Sequence, residues 1–241
     1  GAAGLGLAYH LSQSSIPARK LLIIDRDSKE RNDRTWCFWS SQPTPYDHLT
    51  YHSWDRVEFI ADKFHRVYEM APYRYQMIRG IDFYRAMRLG LSSAPDVEFV
   101  RGNIDEIQDG AYGAQVISNN RAYLGKWVFN SLFNPSEFTK GPPGYHYLMQ
   151  HFKGWEIETA SDSFNPEVAT LFDFRTPQNG CMRFFYILPF SRRRALVEYT
   201  LFSASLLKGH EYDRALSDYI ENVLGISRYR IETTETGLIP M

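Results

Sequence analysis

The chain has 241 residues, enough to bury one large core or two smaller ones, and its formal net charge is −1 at pH 7. A charge so close to zero provides no global positive field, which argues against nucleic acid as a partner. The two cysteines, Cys37 and Cys181, fit a reducing compartment better than a secreted disulfide framework. Apolar runs such as 184–190 have the length of a strand, whereas a membrane-spanning helix needs roughly 20 apolar residues.

The first 25 residues have the order of a dinucleotide-binding unit. Gly1 and Gly4 lead into an apolar, Ala- and Leu-rich stretch, and a second apolar run ends at Asp25. Small residues let the backbone approach a pyrophosphate, a helix N-terminus supplies N–H donors, and the acid accepts from ribose hydroxyls. We therefore predict a helix over 1–14, a parallel strand over 20–25 that is buried on both faces, and a preference for FAD or NAD over NADP. An ordinary helix with two packing glycines is the alternative.

Position 1 is not Met, and no strand precedes the glycine turn. The motif requires both a strand and an earlier glycine at this point. We expect these two parts of the motif to lie outside the sequence given.

The segment 32–39 runs from polar residues directly into three aromatics and a cysteine. Arg34 and Thr35 could bind phosphate while the aromatics form the wall of a site for a flat ring or a polyene. The alternative, which composition favours, is a loop anchored by buried Trp36 and Phe38.

The middle of the chain predicts several short elements. They are strands at 57–61, 66–70 and 75–78, a helix at 81–92, a meander of strands at 97–100, 104–108, 114–118 and 121–124, and an apolar return strand at 127–133. This succession is typical of large flavin-binding domains, in which an antiparallel layer is inserted after the first βαβ unit.

The last third predicts long strands with few helices. Strands are expected at 149–159, 168–174, 183–190, 195–202 and 237–241, with an amphipathic helix at 211–224. The predicted fold is α/β, with a Rossmann-like FAD-binding domain over 1–47 and 76–134 and an antiparallel substrate domain over 48–75 and 135–234. Residues 235–241 are expected to return to the first domain.

Glu198 is the candidate catalytic residue. Strand alternation places it on one face with Leu196, Thr200 and Phe202, and places Tyr199 on the other. Burial among such neighbours would raise the pKa of the carboxyl group and keep it protonated, as a general acid requires. An exposed glutamate on a half-solvated sheet is the alternative.

Two other charged groups allow more than one interpretation. The segment 191–194, Ser-Arg-Arg-Arg, predicts a hairpin tip that could contact anionic lipid or be a solvated turn. Asp173 and Arg175 could face a cavity or pair with each other on a rim. The seven histidines show no metal-ligand spacing, so no metal site is predicted.

Taken together, several segments resemble the bacterial lycopene β-cyclases. The matching segments are 1–4, 21–27, 32–39, 183–190, 196–200 and 235–241. The resemblance implies the fold of flavoproteins similar to p-hydroxybenzoate hydroxylase, with a C-terminal segment that lies outside this sequence. It also implies that Glu198 is the essential acid. Some relatives carry a second acid directly after it, where this chain has Tyr199.

The resemblance implies a reaction as well. Reduced FAD, with NADPH or NADH as electron donor, would support closure of the ψ ends of lycopene to β rings without net redox change. Because lycopene is a long hydrocarbon, we expect peripheral attachment to the cytoplasmic face of the membrane. The alternatives are a flavin-dependent monooxygenase or isoprenoid reductase on the same scaffold, and a flavin- or carotenoid-binding module without turnover.

Overall fold

The computed structural model describes residues 1–16, 20–132 and 148–241. The α-helices within these ranges are α1 (Ala2–Ser12), α2 (Gly80–Ser92) and α3 (Gly209–Asp218), the last continued by a π-helical turn, Tyr219–Val223. The strands are β1 (Leu21–Asp25), β2 (Thr35–Ser40), β3 (Thr50–Trp54), β4 (Arg56–Ala61), β5 (Phe64–Glu69), β6 (Arg74–Arg79), β7 (Val97–Arg101), β8 (Ile104–Gly110), β9 (Gly113–Ser118), β10 (Arg121–Gly125), β11 (Met149–Thr159), β12 (Val168–Asp173), β13 (Met182–Pro189), β14 (Arg194–Ser203) and β15 (Tyr229–Pro240).

The chain divides into two compact units. The first comprises residues 1–36 and 78–133, and the second comprises 37–77 and 134–241. The second unit includes the end of the chain, because β15 pairs with β11 as far as Pro240. The expected return of 235–241 to the first domain is therefore not met, although the predicted strand is present.

The first unit contains a parallel pair formed by β1 and β7. Residues 97–101 thus belong to this pair and not to the predicted meander, which consists of β8, β9 and β10. The predicted burial of the first strand on both faces is wrong for Leu22, which is 38% exposed. Among the described strands β1 pairs with β7 alone, and burial on both faces requires the wider, helix-covered sheet of a doubly wound domain.

The predicted return strand at 127–133 is also wrong over its described part. Residues 127–132 have no regular structure, and Trp127 and Phe129 are exposed. An apolar run becomes a strand only when a neighbour pairs with it, and none of the described strands pairs with this segment. Phe133 lies outside the described residues.

The core of the first unit lies between α1 and α2. Tyr84, Met87 and Leu91 of α2 are buried with a spacing of three to four residues, and Phe83 is buried beside them, as expected for one face of an amphipathic helix. Gly90 allows close approach, because a Cβ at this position would lie 3.0 Å from the Tyr9 ring.

The second unit is built on a seven-stranded sheet with the order β15-β11-β14-β13-β12-β4-β5. All neighbouring strands are antiparallel except β12 and β4. A three-stranded sheet, β2-β6-β3, lies mainly in the same unit, and β3 was not predicted from the sequence.

The two faces of the large sheet have different covers. One face packs against α3 and the π-helical turn, and its buried side chains include Val197, Tyr199 and Leu201 of β14. The opposite face, with Leu188 and Leu196, packs against residues of β2, β3 and β6 such as Cys37, Trp54 and Tyr75. This second cover encloses the face on which Glu198 lies.

Candidate functional site

Glu198 lies in the middle of β14, on the enclosed face. It is only 9% exposed, and its Oε1 accepts a hydrogen bond of 2.8 Å from the hydroxyl of Thr200, two residues along the same face. Its cross-strand partner on β13 is Tyr186. The predicted distribution of β14 side chains over the two faces is confirmed, and the exposed alternative for Glu198 is excluded.

A second carboxyl group, Glu235, reaches the same place from β15. Both Glu198 and Glu235 are register partners of Gly154 on the intervening strand β11. A Cβ built on Gly154 would lie 3.3 Å from Glu235 Cγ and 3.5 Å from Glu198 Cβ. The two acids thus converge over a residue that has no side chain, and they form a hydrogen bond with each other.

The environment strongly favours the protonated form of Glu198. Burial and the neighbouring charge of Glu235 raise the pKa of Glu198 to about 8, against a smaller lowering by the Thr200 hydroxyl. Because two carboxylates this close cannot both ionise easily, the pair retains one proton at neutral pH.

Three further weak acids surround the pair and stay neutral. Burial raises the pKa of Cys37 and the pKa of Tyr186 to about 12 each, and it raises the pKa of Tyr75 further still. Cys37 and Tyr75 form a hydrogen bond with each other, and the charge of Glu198 adds to all three shifts. Among the described residues, the groups that shift the pKa of Glu198 include no cation.

Aromatic rings extend this face of the sheet beside the acids. Phe184 contacts Phe172, Tyr186 and Phe202, with ring centroids 4.8, 5.1 and 6.2 Å away. Tyr199 lies on the opposite face, stacked on Phe185 at 4.7 Å. Phe184, Tyr186 and Phe202 therefore share the face of Glu198, whereas Phe185 and Tyr199 lie on the opposite face.

The predicted nucleotide-binding residues of the first unit also lie together. The nitrogen of Gly1 is 3.0 Å from Oδ2 of Asp25, so the beginning of α1 and the end of β1 meet. The pKa of Asp25 is lowered. Burial alone would raise it, and the amide of Asp27, which donates to this carboxylate, is among the groups that lower it. A Cβ at Gly1 or Gly4 would meet nothing within 4 Å, so there is open space beside the turn.

Arg34 and Thr35 lie where a loop becomes β2. The carbonyl of Arg34 accepts a hydrogen bond of 2.7 Å from the amide of Gly80, at the beginning of α2. The loop interpretation of 32–39 is wrong for 35–39, because Thr35–Ser40 is a strand, whereas residues 32–34 have no regular structure. Trp36 is partly buried and packs edge-on against Phe83 at 5.4 Å.

The remaining charged candidates form ion pairs. Ser191 and the three arginines after it form the tip of the β13–β14 hairpin, as predicted. Arg193 Nε lies 2.8 Å from Asp162, and Arg194 pairs with Glu156. Asp173 binds Arg175 and the hydroxyl of Tyr219, so the predicted pairing of Asp173 with Arg175 is present, but Asp173 is fully buried and does not lie on a rim.

Within the described ranges, no helix is long and apolar enough to cross a membrane. The same ranges contain no group of three or more His, Cys, Asp or Glu side chains that could hold a metal ion.

The sequence matches one family over its whole length. The model of that family, described as "Lycopene cyclase protein", aligns with residues 1–241. A search of curated proteins gives no match.

Several solved structures are similar in fold. They include a p-nitrophenol 4-monooxygenase from Pseudomonas putida (TM-score 0.66, 12% identity), a geranylgeranyl bacteriochlorophyll reductase-like protein from Thermoplasma acidophilum (0.62, 13%) and the halogenase PltM in complex with phloroglucinol and FAD (0.60, 10%). These alignments cover 100, 99 and 99% of this chain and 65, 62 and 57% of the other chains. The likeness confirms the predicted α/β fold class, and the chain spans less than two thirds of each of these structures.

Proposed function

We propose, from the premise that this chain belongs to the lycopene cyclase family, that the protein closes the ψ ends of lycopene to β rings. The observation that carries this proposal is the buried, proton-retaining Glu198 on an aromatic-lined face of the sheet. Cyclisation of an alkene begins with protonation of a double bond in a site from which water is excluded. A neutral carboxylic acid enclosed by apolar groups can donate that proton.

The reaction needs no net electron transfer. Glu198 donates its proton to the terminal double bond, and the positive charge forms on the adjacent tertiary carbon. The π electrons of the neighbouring double bond then form the ring C–C bond, which moves the charge into the ring. Loss of a ring C–H proton to the carboxylate left by the first step sets the β double bond and restores the acid.

The surroundings of Glu198 suit a cationic intermediate. Among the described residues, the groups that shift the pKa of Glu198 include no cation, so the carboxylate formed on proton donation is available to stabilise the positive charge of the intermediate. An aromatic face such as that of Tyr186 would stabilise the carbocation by about 2 kcal/mol in a desolvated site. The enclosed face also excludes water, which would otherwise capture the cation.

The first unit fits FAD as the cofactor. Gly1 and Gly4 would let the pyrophosphate approach the backbone, the amides of the first turn of α1 would hold it, and Asp25 would accept from the ribose hydroxyls. Arg34 and Thr35 are the further candidates for phosphate contact. When bound in its reduced form, with NADPH or NADH as electron donor, FAD would supply negative charge that favours a carbocation. The two proton transfers are assigned to residues of this chain.

A substitution at Glu198 tests the acid role. In cells that accumulate lycopene, Glu198→Gln should reduce β-ring formation by at least about 100-fold, the usual lower range for loss of a general acid. The purified variant should retain FAD. Glu232→Gln, on exposed β15 surface, is the matched control and should leave the pigment unchanged. Full cyclisation by Glu198→Gln would show that another group donates the proton.

The same experiment separates the rival functions. A monooxygenase or isoprenoid reductase on this scaffold would yield oxygenated or reduced products, and these would not depend on a protonated Glu198. A binding module without turnover would hold FAD and lycopene and form no rings under reducing conditions.

Peripheral membrane attachment is proposed because the substrate partitions into lipid. The side chains of Arg192 and Arg193 are 75 and 57% exposed at the hairpin tip, although both lie near Asp162. We expect the protein to float with anionic vesicles. Replacing either arginine by serine should weaken binding by roughly fivefold, for ~1 kcal/mol per charge. If both variants bind the vesicles as tightly as the parent does, the membrane contact lies elsewhere in the protein.

A further inference from the structure

We infer that Glu235 is the positioning partner of Glu198: the two carboxyl groups share one proton over Gly154 and act as a single acid–base pair. This inference rests on the proposed cyclisation for its chemical meaning. Its geometry stands independently, on the register of three adjacent strands.

The register brings the two acids to one point. β11 lies between β14 and β15, and its Gly154 is the partner of Glu198 on one side and of Glu235 on the other. Cross-strand partners point to the same face, so both acids stand on the enclosed face of the sheet. Their backbones are two strand spacings apart, roughly 10 Å, a gap that two inclined glutamate side chains can close.

Gly154 is what permits the contact. A methyl group there would lie 3.0 Å from Leu196 Cδ1, 3.3 Å from Glu235 Cγ and 3.5 Å from Glu198 Cβ. Any larger side chain would occupy the space through which the carboxyl groups meet. A glycine in the middle of an eleven-residue strand normally weakens that strand. At position 154 it allows the close approach of the two acids.

The pair differs from an ordinary ion pair in its charge. The nearby acidic groups Cys37, Tyr75 and Tyr186 are neutral, and Thr200 contributes only a hydroxyl donor to Glu198. The two carboxyl groups form a hydrogen bond with each other, and the proton that they share makes one the donor and the other the acceptor. Such a pair presents one O–H group and one negative charge to the same small space.

This arrangement supplies both proton transfers of the proposed reaction. The O–H of Glu198 gives its proton to the terminal double bond, which leaves the pair without a proton. The pair then takes one proton from the ring carbon when the β double bond forms. No proton or electron is gained or lost over the cycle, and Glu235 acts through Glu198 by holding its proton and orienting its hydroxyl group.

The test follows the protonated carboxyl group directly. In FAD-loaded protein labelled with ¹³C-glutamate, isotope-edited infrared spectroscopy should show a protonated carboxyl band at neutral pH that Glu198→Gln abolishes. In Glu235→Gln this band should titrate away at a pH lower by about one unit or more, since the interaction within such a pair exceeds ~1 pK unit. Glu232→Gln, on the same strand, should titrate as the parent does.

Gly154→Ala provides a second, independent variant in which both acids remain. The added methyl group should separate them and lower the titration midpoint in the same direction, whereas Gly209→Ala, where a Cβ meets nothing within 4 Å, should leave it unchanged. A band that titrates identically in the parent and in Glu235→Gln overturns the pair. If Glu235→Gln does not fold, Gly154→Ala decides by the same criterion.

These measurements distinguish failure of the acid pair from failure of the proposed cyclase function. Loss of cyclisation in Glu198→Gln together with an unshifted band in Glu235→Gln would retain the cyclase and reject the pair. A shifted band in a protein that forms no rings would retain the pair and reject the cyclase. A structural role for Glu235 would lower stability without moving the titration.

Discussion

At the scale of single residues, burial of Glu198 connects catalysis to stability. A carboxyl group whose pKa is raised in the folded protein binds a proton that the unfolded chain has already lost. Between the ordinary value of 4.5 and about 8, the folded state therefore holds more protons than the unfolded state. The free energy of unfolding must fall as the pH rises through this window, by up to ~1.4 kcal/mol per pH unit.

Replacement by glutamine removes this dependence. In urea titrations from pH 5 to pH 8, the parent should lose stability on the order of a few kcal/mol through this group, and Glu198→Gln should lose much less. The stability of the variant relative to that of the parent should thus increase steadily from pH 5 to pH 8. Parallel stability curves for the two proteins would mean that Glu198 titrates normally, in conflict with its enclosed position.

Asp173 shows the opposite case, a buried carboxyl group that stays charged. Burial alone would raise its pKa, but hydrogen bonds from Arg175 and Tyr219 lower it below the ordinary value. The contrast between the two acids has a local cause. Asp173 has a guanidinium partner, and Glu198 has another carboxyl group.

At the scale of elements, the π-helical turn after α3 is tied to the sheet through Tyr219. Its ring stacks on Phe185 with centroids 3.7 Å apart, and its hydroxyl donates a hydrogen bond of 2.6 Å to Asp173 Oδ2. Tyr219→Phe keeps the stack and removes one donor from a buried carboxylate. We expect a loss of about 1.5–3 kcal/mol in the free energy of unfolding, measured in urea.

Tyr112→Phe, at a fully exposed position, is the control and should be neutral. Unchanged stability in Tyr219→Phe would show that Arg175 alone satisfies Asp173.

The elements that could be predicted from sequence are those whose pattern is local. The alternation around Glu198 and the helical spacing of α2 and α3 depend on neighbours along the chain, and they were predicted correctly. β7 was assigned to the wrong sheet, because its partner β1 lies more than 70 residues away and nothing local marks a parallel pairing. The strand predicted at 127–133 is wrong over 127–132 for a related reason, because an apolar run does not show which strand would pair with it.

The candidate site was predictable only in part. Glu198 could be found because hydrophobic neighbours flank it in the sequence. Glu235 lies among threonines on a strand that is mostly exposed. Its proximity to Glu198 could be recognised only from the register that places it opposite Gly154 of β11. A glycine inside a long strand pattern was the available signal, since it marks a close approach that the sequence itself does not identify.

At the scale of the whole molecule, the proposed cofactor residues and the proposed acid residues belong to different compact units. Asp25, Gly1 and Gly4 lie in the first unit, and Glu198, Glu235 and Gly154 lie in the second. Each unit has a buried core of its own, around Leu91 in the first and around Val197 in the second. The two functions should therefore respond separately to substitution.

Asp25→Ala tests this separation. It removes the proposed acceptor for the ribose hydroxyls and should weaken FAD binding by about 10- to 100-fold, the loss expected for one or two hydrogen bonds to a charged group. Flavin fluorescence titration of the protein after cofactor removal measures this change. The protonated carboxyl band assigned to Glu198 should keep the titration of the parent without FAD, because the forces that raise its pKa come from its own unit. A shifted band in FAD-free Asp25→Ala, relative to FAD-free parent, would show that the first unit controls the protonation of the acid pair.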